Sequence, residues 1–278
     1  MSAAAARYGV VEAPGKLVIL GEYAVLDGAP AVVAAIDRGV RCTVSPGAGI
    51  STPGDDRFVR AALEGAAASR YHFEDSRPVV GIDGKPGFGG SAAATGAAVL
   101  AAGRPAEDAF AVHAAVQGGG SGIDVFASVH GGVRRFRDGA EVPCPPMVAV
   151  WSGQSAATGP RVARYLAWPG RFAFVEASRA VVGAFASDPM GSTREAYALL
   201  RAMAVAAGVA YDLPAFAAIA GLAAAHGGAA KPSGAGGGDI AVALLPDPAA
   251  AAAFAAACAA RGLRSIEVNV ARGAGWVE

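Results

Sequence analysis

Gly87-Phe88-Gly89-Gly90-Ser91-Ala92-Ala93 is the stretch on which the reading turns. Its glycines let the backbone reach positive φ and come close to an anion. The residues after it, Ser91–Ala102, are rich in alanine and predict a helix. A glycine-rich loop that feeds a helix N-terminus offers unpaired N–H groups and a positive dipole end, which suits phosphate. Ser91 either caps that helix or ligates Mg2+ beside phosphates. The loop is not a Walker A loop, because GxxxxGK[ST] occurs nowhere in the chain. It is not a nucleophile elbow either, since GxSxG is absent around Ser91, Ser121 and Ser155. Nor is it a dinucleotide fingerprint opening a βαβ unit.

Working outward, Glu107–Val116 predicts a second helix, ended by Gly118-Gly119-Gly120. Ser121-Gly122 then leads to Asp124 and the apolar run Val125–Val129. Asp124 is either an Asx-turn residue or a positioned base and lysine partner. His113 has no Cys or His at ligand spacing and no HExxH, which favours a structural role. Upstream, Val10–Val11 and Leu17–Leu20 predict strands flanking a first glycine turn, and Ala31–Ile36 and Val40–Val44 two more. Ala48–Gly54 reads as loop and Phe58–Ser69 as a short helix. Val133–Phe136 and Val148–Trp151 read as strands on either side of Pro143, Pro145 and Pro146, a rigid break. Beyond the break, Phe174–Ala186 and Ala215–Ala225 predict helices. Ser192-Thr193-Arg194-Glu195 fits a capping box opening a helix over Glu195–Ala207. A third glycine-rich loop, Ser233–Gly238, precedes strand Ile240–Leu245 and helix Ala249–Ala260. Ile266, Val268 and Val270 alternate with polar residues, as in a half-buried strand. Helices and strands mix without a βαβ period, so the fold class is α+β in two lobes, 1–145 and 146–278.

Composition narrows the function. The chain has 278 residues, 54% of them hydrophobic, with a mean hydropathy of +0.40. That excludes a disordered chain. Lys+Arg 23 balances Asp+Glu 23, so no overall positive field attracts nucleic acid or anionic lipid. A bound anion must be held locally. The only lysines are Lys16, Lys85 and Lys231, and all three sit in glycine-rich segments. Elsewhere the basic residues are arginine, whose planar fork does not replace a lysine point charge at a phosphate. The three cysteines are far apart, which argues against a disulfide framework or a structural zinc site. With no signal peptide and no apolar run of membrane-spanning length, a cytoplasmic protein is expected.

Three glycine-rich segments in the order PGK, GxGGSAA and SGAGGGD, with Gly120-Ser121-Gly122-Ile123-Asp124 between the last two, resemble the GHMP kinase superfamily. The similarity runs from about Val11 to Leu245. Ala13–Leu17, the run Gly21-Glu22-Tyr23 through Pro30, Trp151–Thr158 and Asp239 look most like phosphomevalonate kinases. The resemblance implies an N-terminal lobe like ribosomal protein S5 domain 2 and a ferredoxin-like C-terminal lobe. It implies ATP and Mg2+ as cofactors and transfer of a phosphoryl group to 5-phosphomevalonate, giving 5-diphosphomevalonate. Mevalonate kinase, another GHMP kinase and a catalytically silent nucleotide-binding relative are the alternatives. On that resemblance Lys16 and Asp124 are catalytic. Lys85, Gly87, Gly89, Gly90, Ser91, Ala92 and Ala93 hold the nucleotide, with Ser91 on the metal. Lys16, Tyr23, Ser121, Gly122, Asp124, Arg194, Ser233, Gly234, Ala235 and Gly236 face the acceptor, with Arg134 and Arg135 as further cations for phosphate. A small-molecule substrate is expected, with neither nucleic acid nor membrane as partner, in a monomer or homodimer. Two departures stand out. His113 occupies the place where mevalonate kinases carry a metal-binding Glu, and the segment 45–84 is short for the family.

Overall fold

The computed structural model describes residues 7–79, 81–82 and 86–277. Strand β1 (Gly9–Leu20) opens a six-stranded sheet with β2 (Ala31–Ser45), β3 (Gly49–Ser51), β4 (Arg70–Asp75), β5 (Val133–Phe136) and β10 (Gly275–Val277). The order is β10-β1-β2-β4-β3, with β5 on the early part of β2. Helices α1 (Arg57–Ala62), α2 (Gly90–Ala101), α3 (Asp108–Gln117) and α4 (Ile123–His130) belong to this half of the chain.

The first glycine segment is not a turn. The two strands expected around it are one, and so are the two expected in β2. Register shifts between Ala13 and Gly15, and again between Val18 and Leu20, absorb the irregularity as bulges. Gly15 is needed for close approach: a Cβ there would lie 2.1 Å from Arg38 O and 2.6 Å from Phe88 O. The alanine-rich α2 uses its small side chains in the same way. Ala92, Ala93, Ala97 and Ala98 are buried against β1 and β2, and a Cβ on Gly96 would stand 3.3 Å from Ser128 Oγ on α4.

The second sheet contains β6 (Met147–Trp151), β7 (Ala229–Pro232), β8 (Ile240–Leu244) and β9 (Arg264–Glu267), all antiparallel in the order β7-β8-β6-β9. Counted within this half the order is 2-3-1-4, a ferredoxin-like arrangement. Helices α5 (Thr158–Ala167), α6 (Arg171–Ala184), α7 (Pro189–Ala207), α8 (Pro214–Ala225) and α9 (Pro248–Ala259) accompany it. The expected capping box does not open α7. That helix starts at Pro189, with Asp188 accepting from Gly191 N at 2.8 Å. Proline at the first helical position, after an aspartate cap, starts the helix earlier. Ser192 and Thr193 are therefore buried inside it. The strand expected through Val270 stops at Glu267, and Val270 instead bridges Ile36 in the other sheet. β10 also returns to the first sheet, pairing with β1 at Val10–Glu12. One apolar cluster joins Leu17, Ile19 and Val32 of the first sheet to Trp151, Ile240 and Val242 of the second. The two sheets thus share a core.

Candidate active site

Lys16 projects from β1, with its side chain nearly buried, at 10% exposed. Its Nζ donates to Gly87 O at 3.1 Å and stands 3.7 Å from Asp124 Oδ1. Its backbone N donates to Phe88 O at 2.8 Å, so the same residue holds the second glycine loop by main chain and side chain. Gly89 takes φ 77, and a Cβ there would lie 3.1 Å from Lys16 Cγ. The loop can lie over the lysine only because that position is glycine.

Gly89 is the N-cap of α2, and no side chain caps the helix. Its first backbone N–H groups and the positive end of its dipole therefore face outward from the loop. Ser91 is not the cap. It is exposed in the first turn, with Oγ 3.3 Å from His113 Nε2. His113 is buried and stacked on Phe58, ring centroids 5.0 Å apart. Burial lowers its pKa from 6.5, against the opposing charge of Asp124, which favours a neutral imidazole.

Asp124 lies in the first turn of α4, after Gly122, which adopts φ 79 as its N-cap. A carboxylate there is favoured by the helix dipole. Its ion-pair partner is Lys16, which is the lysine-partner role among the two left open above. Ser121 Oγ accepts from Ile123 N at 3.4 Å, closing the turn that positions Asp124.

The third glycine loop closes on the same place. Ser233 Oγ accepts from Val18 N at 2.9 Å, and Tyr23 Oη donates to Ala235 O at 2.6 Å. Gly234 N donates to Glu22 Oε1 at 3.4 Å. Gly236 packs against the ring of Tyr211. At the end of the loop Asp239 adopts φ 59, in the left-handed region. Its Oδ1 accepts from Ala156 N at 3.2 Å, and a Cβ on Gly87 would lie 3.1 Å from its Oδ2. Burial raises the Asp239 pKa, opposed by the Ala156 N–H and by the charges of Lys16 and Arg161. Asp239 thus belongs to the constellation, although it was not among the expected site residues. Its signal was the acid that closes a glycine run.

Other expectations are not met by the geometry. Arg194 is exposed on α7 and donates to Gly228 O at 3.3 Å, at the opposite end of β7 from Ser233. Its position on α7 places it away from Lys16 and Asp124. Arg134 and Arg135 are engaged with Glu141 and Asp138 in their own hairpin. Lys231 is fully buried on Glu22 and is not free to face a phosphate. Lys85 lies outside the described residues. The arginine that the sequence did not single out is Arg161 on α5. It donates to Ala210 O at 2.8 Å, Ala157 O at 2.5 Å and Gly237 O at 3.5 Å, bracing the third loop.

Among the described residues no three His, Cys, Asp or Glu side chains converge as a metal cage. Ser91 in the first turn of α2 and Asp124 in the first turn of α4 are hard oxygen donors of the kind Mg2+ takes.

No protein-family model matches the chain. The solved structures do. A Listeria innocua protein, Lin0012, superposes with a TM-score of 0.82 at 22% identity, over 97% of this chain and 99% of that one. Mevalonate kinase of Methanococcus jannaschii gives 0.79 at 15% identity, over 97% and 100%. Streptococcus pneumoniae phosphomevalonate kinase, in complex with phosphomevalonate and AMPPNP, gives 0.76 at 17% identity, over 94% and 99%. The chain therefore shares its two-lobed fold with these solved proteins. In sequence the chain is similar to a mevalonate kinase of Aeropyrum pernix, 35% identical over 167 residues. That match covers 48% of this chain and 52% of the relative, so the chain spans about half the length of the curated relative it matches.

Proposed function

We propose that the chain is an ATP-dependent small-molecule kinase that converts 5-phosphomevalonate to 5-diphosphomevalonate. The observation that carries the kinase reading is Lys16, whose ammonium bonds the phosphate-type loop at Gly87 O and pairs with Asp124. Phosphoryl transfer is mostly positioning and charge stabilisation, and a neutral protein must concentrate charge where it is needed. The N-terminus of α2 and the Lys16 ammonium would receive the nucleotide phosphates, with Ser91 and the phosphates holding Mg2+. Bound there, Mg2+ would neutralise charge developing on the transferred group. The bond between the β,γ-bridging oxygen and the γ-phosphorus breaks as an acceptor oxygen bonds that phosphorus.

The acceptor decides what Asp124 does. A phosphate monoester has a second pKa of about 6 and arrives ionised, so no proton has to be removed. Asp124 then orients Lys16. A hydroxyl acceptor, as in mevalonate, would instead need Asp124 to take its proton. The phosphorylated acceptor is supported by the resemblance at Tyr23, Trp151–Thr158 and Asp239, three places that line or brace the third loop in the structure. The mevalonate reading is supported by the Aeropyrum pernix relative. Lys16→Ala and Asp124→Asn are expected to cut kcat at least ~100-fold with the fold retained. Turnover near wild type in either variant, by steady-state kinetics with circular dichroism as the fold check, contradicts the roles given.

The same reading divides the chain at 1–145 and 146–278, supported by the proline break and by the start of the second sheet at Met147. It also makes the protein cytoplasmic, a monomer or a homodimer. Among the described residues no helix is long and apolar enough to cross a membrane.

A further inference from the structure

Glu22 and Lys231 form an ion pair with side chains only 2% and 0% exposed. Such a pair seldom adds net stability over apolar residues of the same volume, because desolvation offsets the attraction. Here Glu22 Oε2 has no hydrogen-bond partner among the described residues, a further cost. Burial lowers the pKa of the Lys231 amine, with Glu22 opposing. Stability alone therefore does not account for the pair, and what it holds in place does.

Glu22 sits in the turn after β1, the strand that carries Lys16. The turn is conformationally demanding, with φ 93 at Gly21 and φ 62 at Tyr23. Lys231 sits in β7, which runs into the third glycine loop. Its Nζ also donates to Pro232 O at 2.8 Å. Glu22 Oε1 receives Gly234 N, flanked by the Val18 N bond to Ser233 Oγ and the Tyr23 Oη bond to Ala235 O. Three consecutive loop residues are thus bonded to β1 or to the turn after it, and the buried pair lies at the root of those bonds.

We propose that the Glu22–Lys231 pair is a positioning device that fixes the third glycine loop against the Lys16 strand, so that the acceptor meets the nucleotide in register. The proposal rests on the kinase reading above. Both act through the loop, Glu22 by its bond from Gly234 N and Lys231 by its bond to Pro232 O at the loop's start.

The test is the double variant Glu22→Gln/Lys231→Met, which leaves no lone buried charge, compared with wild type by amide hydrogen exchange and steady-state kinetics. Exchange over residues 233–237 is expected to be ~10-fold faster, with β8 unchanged. The KM for 5-phosphomevalonate is expected to rise ~10-fold, with the KM for ATP unchanged. Wild-type exchange in the loop and a wild-type acceptor KM, in folded double variant, overturn the proposal. If the wild-type chain turns over no acceptor, the kinase reading has failed separately. Loop exchange then decides alone: faster exchange upholds the device and unchanged exchange overturns it. If the double variant does not fold, Glu22→Asp keeps both charges but shortens the side chain that spans Lys231 and Gly234, and is read by the same two measurements. A loop that exchanges as in wild type overturns the proposal there as well.

Discussion

Asp239 shows best how one residue can be placed against its local preference. A non-glycine residue in the left-handed region is mildly strained, and such strain persists where the surroundings demand it. What Asp239 provides in return is a carboxylate that ties Ala156 to the loop and faces Gly87 and Lys16. Asp239→Gly relieves the backbone and removes the carboxylate. Its Tm is expected to equal or exceed wild type, while turnover falls ~10-fold or more. A large loss of Tm with normal turnover contradicts this. Burial holds the Asp239 carboxyl above its ordinary 3.8, so the folded chain binds that proton more tightly than the unfolded one. Its contribution to stability is full below 3.8 and is lost as pH rises through the folded pKa. Asp239→Asn cannot titrate and removes that dependence. Parallel curves of Tm against pH for the two chains contradict the assignment.

At the scale of elements, the sequence was most legible where a glycine loop meets a helix. The expected helix over Ser91–Ala102 is α2 with its start moved by one residue, because Gly89 itself serves as the cap. The expected helix Glu107–Val116 is α3 shifted by one residue. Lys16, Gly87, Gly89, Ser91 and Asp124 meet because β1, α2 and α4 pack together. That part of the site followed from motifs. Asp239 closed the third motif but was given no site role, and Arg161 was not seen, since α5 was not expected at all and only tertiary packing brings its arginine to the third loop. β3, which lies in the expected loop Ala48–Gly54, and β4, β7 and β10 were also missed, being short strands whose pairing comes from partners outside their own segment. Small residues set the spacing of α2. Gly96→Leu is therefore expected to overpack the contact with Ser128 and Ala13 and lower stability by about 1–3 kcal/mol, read by denaturant unfolding. An unchanged midpoint contradicts that packing.

At the scale of the whole molecule, the two sheets are joined by the shared apolar cluster, and the chain after β9 returns to the first sheet through the Ile36–Val270 bridge and β10 on β1. Composition and periodicity indicated two lobes but not these crossings, which link residues far apart in sequence. Because the core is shared, unfolding is expected in one cooperative transition. Two separated calorimetric transitions contradict a common core. Lys16 brings Asp124, the loop before α2 and, through its own strand, the third loop to one place. What reacts there is the question. It is answered most directly by ADP release from purified protein with Mg·ATP and one acceptor at a time: 5-phosphomevalonate, mevalonate, galactose and homoserine. The predicted result is turnover with 5-phosphomevalonate alone. Turnover only with mevalonate keeps the kinase and removes the acceptor assignment. Folded protein that binds nucleotide and turns over none of the four contradicts the kinase reading and points to a silent nucleotide-binding relative.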